Sequence, residues 1–241
     1  MEFNKVKSIV FPRQVLVGHG VIEDISTVCK NLELKGPCII VTGSKSKEIA
    51  GETVKAILER DGYEVFMLEV NDATKENIDK VSRMLEEVKA DFLLGVGGGS
   101  KIDIAKFVAK QKGKKFISVP TSASHDGIAS PRVSLKSYHG SVSIEGATPI
   151  AIVADTAIIV KAPYRMLVAG CGDVISNLTA VKDWLLAHKL KNEPFSTTAA
   201  GLAETSAKGI IQNVDKIKQG SEESVWLTMK SIIASGAAMC I

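Results

Sequence analysis

Aromatic residues are scarce in this chain, 5% of 241 residues, and no lysine- or arginine-rich block interleaves with them. The net charge is only +3. Without a basic block interleaved with aromatics, nucleic acid is excluded as the main partner. The 4 cysteines, Cys29, Cys38, Cys171 and Cys240, are scattered and form no CxxC pair. That spacing offers neither a thiolate zinc knuckle nor a disulfide framework, and predicts buried reduced thiols in a cytoplasmic protein. Long hydrophobic runs are missing too. The longest, Pro149 to Val160, contains Asp155 and falls short of the roughly 20 residues a span requires, so membrane insertion is not expected. Met1 to Lys7 shows no signal-peptide pattern. Neither an internal repeat nor a low-complexity tract occurs.

What is present is ordinary globular material, 45% apolar and 24% charged, which excludes wholesale disorder. Three successive units read as strand then helix. Pro37–Val41 is a short apolar run ended by Gly43, followed by a helix striped with Ile49, Ala50, Val54, Ile57 and Leu58, capped by Ser44 or Ser46 and stopped by Gly62. Tyr63–Val70 is a second strand, followed by a helix that Thr74 caps. Asp91–Val96 is a third, with a helix from Lys101, and Lys115–Val119 a fourth. Such alternation predicts a parallel sheet with helices on both faces. Arg132–Lys136 and Ser141–Glu145 then alternate apolar and polar around Ser137-Tyr138-His139-Gly140, a hairpin pattern. Ile150–Ala154 reads as a last buried strand, and from Pro163 onward the periodicity is helical. The expected architecture is α/β: a Rossmann-like domain over 1–160, then an all-helical domain over 161–241. The apolar, uncapped run Ser231–Ile241 predicts that the helical domain is incomplete and the parent sequence continues.

Gly95-Val96-Gly97-Gly98-Gly99-Ser100 falls where the third strand meets its helix. Glycines there let the backbone approach a diphosphate, and free N–H groups of Ser100 to Asp103, aided by the helix dipole, point at the anion. Ser100-x-x-Asp103 has capping-box spacing. Taken alone this turn is a weak signal, since no acid follows at the dinucleotide-fingerprint spacing. All parallel strands end on one edge, so this turn, Gly43-Ser44 and the hydroxyl-rich loop Pro120–Ser130 should converge there. No acid stands at Thr42–Lys47, whereas Lys45 and Lys47 do, so NADP is expected to be accepted as well as NAD.

GVGGGSKID (Gly95–Asp103), PTSASHDGIASP (Pro120–Pro131), IAIVADT (Ile150–Thr156) and APYRMLVAGCGDVISNLTAVKDW (Ala162–Trp184) resemble the archaeal sn-glycerol-1-phosphate dehydrogenases. These belong to the superfamily of glycerol dehydrogenase, iron-containing alcohol dehydrogenase and 3-dehydroquinate synthase. The resemblance implies NAD(P)H-dependent reduction of dihydroxyacetone phosphate to sn-glycerol 1-phosphate for archaeal membrane lipids, a zinc ion and a homo-oligomer. It implies dinucleotide contacts from Gly97, Gly98, Gly99, Ser100, Lys101, Ile102, Asp103, Thr121, Ser122, Ala123, Ser124 and Ser130. Asp126 becomes a catalytic and substrate-binding residue, and Asp173 a zinc ligand beside the substrate.

A Lewis acid on the ketone oxygen would stabilise the alkoxide left by hydride transfer. Asp173 follows Gly170-x-Gly172, expected to break the helix and turn the carboxylate to the cleft, with Asn177 one turn on. The family's two histidine ligands have no counterpart after Asp173, where His188 is the only histidine and reads as a surface residue. His19 and His139 read as solvated loop residues. His125 stands in the right loop without an implied ligand role. One metal ligand of three is therefore expected. A polyol dehydrogenase acting on free glycerol, a non-catalytic dinucleotide-binding fragment and an intramolecular cyclase remain as alternatives.

Overall fold

A computed structural model describes residues 9–137 and 140–241. Six parallel strands form one sheet in the order β1-β8-β5-β4-β2-β3. They are β1 (Gln14–Gly18), β2 (Cys38–Thr42), β3 (Val65–Glu69), β4 (Phe92–Gly97), β5 (Lys115–Pro120) and β8 (Ala151–Asp155), while β6 (Arg132–Ser137) and β7 (Gly140–Glu145) make a separate antiparallel hairpin. The hairpin turn residue His139 and the leading residues Met1 to Lys7 lie outside the described residues.

Side chains alternate across each strand, so both faces need cover. Ile39, Val41, Leu93 and Phe116 pack into one apolar cluster with Ile102, Ala105 and Val108. Cys38, Ile40, Phe92, Leu94 and Ile117 pack into another with Val28, Val54 and Leu58. The expected doubly wound sheet is thus present, and Val225, Met229 and Ile232 of the helical part join the first cluster. Four helices dominate beyond residue 160, Tyr164–Ile175, Asn177–Lys191, Thr197–Gln212 and Glu222–Ala238.

Several local expectations change. β1 was not foreseen: it is short, and it exists by pairing with β8, Gln14 opposite Ala151. The helix after β2 has Gly43 as its N-cap, and Ser46 instead accepts the Gly43 N–H at 2.9 Å from inside the first turn. The glycine-turn helix begins at Gly99, capped by the Gly98 backbone with no side-chain bond. The Ser100/Asp103 capping box does not form, because Asp103 accepts from Ser134 N–H and Lys106 instead. Thr74 does cap its helix, accepting from Asn77 N–H at 3.4 Å. Gly170 and Gly172 do not break Tyr164–Ile175. A Cβ on Gly170 would stand 2.2 Å from the Ala123 carbonyl oxygen, so this glycine lets the helix lie against the Pro120–Ser130 loop.

Candidate functional site

The three segments expected at the carboxyl edge of the sheet do converge. A cavity of about 440 Å³ is lined by Gly43 to Ser46 from the end of β2, Gly98 and Lys101 from the glycine turn, and Thr121 and Ser122 beyond β5. Lys161 and Met166 close it from the helical side. No Asp or Glu lines it. Gly97 holds φ +146°, and a Cβ there would stand 2.8 Å from Ser46 Oγ, so only glycine lets the turn sit against the helix after β2. Lys101 and Ile102 turn their N–H groups onto the Gly98 carbonyl at 3.1 and 3.3 Å. The donors ahead of the helical ladder are therefore those of Gly99 and Ser100, not the run Ser100 to Asp103. With the helix dipole they make an anion seat at the cavity wall.

A second, larger cavity of about 1060 Å³ opens on the other side of the same loop. Asp103, His125, Asp126, Ser130, Arg132, Asp173 and Trp184 are among its lining residues. Asp173 Oδ2 accepts the Asp126 N–H at 2.8 Å. Asp126 Oδ2 in turn accepts from Ser235 Oγ at 2.6 Å, and Ser235 Oγ accepts from Asn177 Nδ2 at 2.8 Å. Asn177 thus reaches the same cluster as Asp173, through Ser235. Burial pushes the Asp126 carboxyl up to about 6; the Ser235 hydroxyl opposes the rise and neighbouring Asp173 adds to it. The His125 ring packs over the glycine turn, where a Cβ on Gly99 would stand 2.3 Å from its Nε2. Burial pushes its pKa down, favouring the neutral ring.

The remaining predicted residues separate. Ile102 and Ala123 are core side chains, 0% and 1% exposed, and neither lines the cavity. Ser124 Oγ lies 3.4 Å from Ser122 Oγ beside the first cavity. Asp103 and Ser130 line the second cavity rather than the first. Lys47, expected near the adenosine end, is tied to Glu69 at 2.9 Å and Glu52 at 3.7 Å. His188 is exposed, as read, and its Nδ1 meets the Glu193 carbonyl at 2.6 Å. His19 is also exposed but pairs with Glu222 at 3.0 Å, so it is not simply solvated.

Two contributors were missed. Lys106, 0% exposed, meets Asp103 at 3.3 Å, the Arg132 carbonyl at 2.6 Å and the Gly127 carbonyl. Its burial lowers its pKa against the pull of Asp103. It ties the glycine-turn helix to the loop carrying Asp126. The i, i+3 Asp-Lys pair inside an apolar helix was its sequence signal. Ser235 had none, standing 109 residues from its partner Asp126.

The residues present do not complete a metal centre. Among the described residues no group of three or more His, Cys, Asp or Glu is placed to hold an ion, whereas a catalytic zinc takes about three protein ligands. Likewise, no helix among the described residues is long and apolar enough to cross a membrane.

Known proteins share this arrangement. Glycerol dehydrogenase of Schizosaccharomyces pombe superposes with a TM-score of 0.83 at 20% identity, over 98% of this chain and 63% of the other. An iron-containing alcohol dehydrogenase of Thermotoga maritima gives a TM-score of 0.78 at 20% identity, over 98% and 69%. These likenesses establish the fold. In sequence the chain is 48% identical to glycerol-1-phosphate dehydrogenase [NAD(P)+] of Thermoplasma volcanium, across 100% of this chain and 68% of the relative. The enzyme of the same name from Methanothermobacter thermautotrophicus is 48% identical across 98% and 67%. Residues 16–163 match the family model for iron-containing alcohol dehydrogenase. The chain belongs to the iron-containing alcohol dehydrogenase family.

Proposed function

We propose that this protein reduces dihydroxyacetone phosphate to sn-glycerol 1-phosphate with NADH or NADPH, in the cytoplasm, supplying archaeal membrane lipid synthesis. One observation carries the reading: a single loop, Thr121 to Ser130, lines the acid-free cavity at the glycine turn on one side and the Asp126–Asp173 cavity on the other. A dinucleotide with its pyrophosphate at Gly99 and Ser100 can then extend its reactive ring toward the carboxylates. The names of relatives 48% identical to the chain support the substrate.

In this reading the α/β domain 1–160 supplies the glycine turn and most of the cofactor site, and the helical domain 161–241 covers the substrate, with Lys161 and Met166 also closing the cofactor cavity. Held at Gly99 and Ser100, the cofactor would supply hydride to C2 of the ketone, and a proton would have to reach O2. Asp126, its carboxyl pushed up to about 6 by burial, and His125 on the same loop are protonatable groups at that wall, beside Asp103 and Asp173. Hydrogen bonds from Ser235 and to Asp173 fix the loop that carries Asp126. Zinc belongs to the proposal only as an ion for which Asp173 offers one carboxylate. The described residues do not complete its donor set. A homo-oligomer is part of the reading, with Leu186 and Leu190 of helix Asn177–Lys191 exposing apolar surface suited to it.

The test is oxidation of NADPH and NADH with dihydroxyacetone phosphate against unphosphorylated dihydroxyacetone. Turnover confined to the phosphorylated ketone is expected, and equal turnover of both would replace this reading with a polyol dehydrogenase. The incomplete donor set favours a second reading, a dinucleotide-binding chain without turnover. Cofactor binding with no oxidation would select it.

A further inference from the structure

The geometry points to Lys45 and Lys161 as a paired seat for the 2′-phosphate of NADPH, so that the chain discriminates between the two cofactors by charge. This rests on the proposed dinucleotide site and adds the residues that set its preference.

Three lysines, Lys45, Lys101 and Lys161, line the first cavity, and no carboxylate lines it. They are not equivalent. Lys101 is the one nearest the pyrophosphate seat, in the first turn of the glycine-turn helix. Its Nζ donates to the Asn71 carbonyl at 2.7 Å, and desolvation lowers its pKa. Lys47, on the adjoining turn, does not line the cavity and is neutralised by Glu69 and Glu52. Lys45 and Lys161 are exposed, and neither is engaged in a salt bridge among the described residues. They reach the cavity from two different elements, the helix start after β2 and the segment after β8.

Their position fits one part of the ligand. In a doubly wound sheet the pyrophosphate sits at the glycine turn, and the adenosine ribose is read at a neighbouring strand end, where an acid selects NAD and a cation accepts the 2′-phosphate. β2 neighbours β4 directly, and its end carries Lys45. Of the acids around the strand ends, Glu69 at the end of β3 is held by Lys47, Asp72 is held by Lys136 at 3.1 Å, and Glu48, on the helix after β2, does not line the cavity. A dianionic 2′-phosphate in this cavity therefore meets two ammonium groups outside any salt bridge and no lining carboxylate. Ile49, Ile158 and Met166 line the same cavity and offer apolar surface to adenine.

The experiment is calorimetric titration of the parent chain, Lys161→Met, Lys45→Met and the double variant with NADPH and NADH, and with 2′,5′-ADP and 5′-AMP as probes. Each single variant is expected to weaken NADPH and 2′,5′-ADP by about fivefold at low salt, the scale of one exposed charge pair. NADH and 5′-AMP should stay within about twofold. The double variant should bring the two cofactors to near-equal affinity and flatten the salt dependence of NADPH binding. Equal weakening of both cofactors would overturn the assignment, showing that these lysines attract any anion or the pyrophosphate. So would an unchanged cofactor ratio. A parent chain that binds neither dinucleotide would overturn the cofactor site itself, a failure distinct from either of those.

Discussion

Replacing Lys106 by methionine tests whether the buried pair holds the glycine-turn helix to the Asp126 loop. The ammonium is 0% exposed and Asp103 is 6% exposed. Methionine keeps most of the volume, so the packing change is small. What is lost is the partner of Asp103 at 3.3 Å and the donor to the Gly127 and Arg132 carbonyls. Asp103 would keep only the Ser134 N–H, at 3.0 Å. Removing one member of a buried ion pair costs about 3–5 kcal/mol, because the remaining charge is uncompensated. At about 2–4 °C per kcal/mol for a chain of this size, Tm should fall by roughly 6–20 °C. Thermal unfolding followed by circular dichroism at neutral pH reads this. Adding Asp103→Asn removes the stranded charge while keeping an acceptor for Ser134 N–H, and should recover about half of the loss. A Lys106→Met protein within about 1 kcal/mol of the parent would refute the reasoning, since a buried carboxylate stripped of its counter-charge cannot be silent.

Other expectations follow from the same geometry. The Asp126 carboxyl rises from 3.8 to about 6 on folding. The folded state therefore binds that proton more tightly, and stability falls as pH rises from about 4 to 6, the penalty being complete above 6. Asp126→Asn should thus be more stable than the parent at pH 7, by at most about 3 kcal/mol, and equal to it near pH 4. Parallel stability curves for the two proteins would contradict this. Gly170→Ala places a Cβ 2.2 Å from the Ala123 carbonyl oxygen and 2.8 Å from Ile232 Cδ1, and should cost about 1–3 kcal/mol in urea denaturation. Gly172→Ala in the same helix meets nothing within 4 Å and should stabilise by about 0.5–1 kcal/mol. If the two substitutions gave the same result, close approach would not be the reason for Gly170.

By itself the sequence determined the alternation of strand and helix, the two-sided cover of the sheet and the placement of the glycine turn at a strand end. Those follow from interactions within a few residues: the apolar run of β2, the Thr74 cap, the stop at Gly62. It also determined that three loops would meet, because parallel strands all end on one edge. Tertiary structure decided the rest. β1 exists through pairing with β8, more than a hundred residues away. The helix runs through Gly170 and Gly172 because packing against the Ala123 loop outweighs the local cost of two glycines. Asp103 leaves its cap for Lys106 and Ser134, and Asp126 finds Ser235, because a buried charge takes whichever partner the assembled core brings within reach. No spacing along the chain encodes that choice. It is made only when the helices close over the sheet and water leaves the polar groups between them.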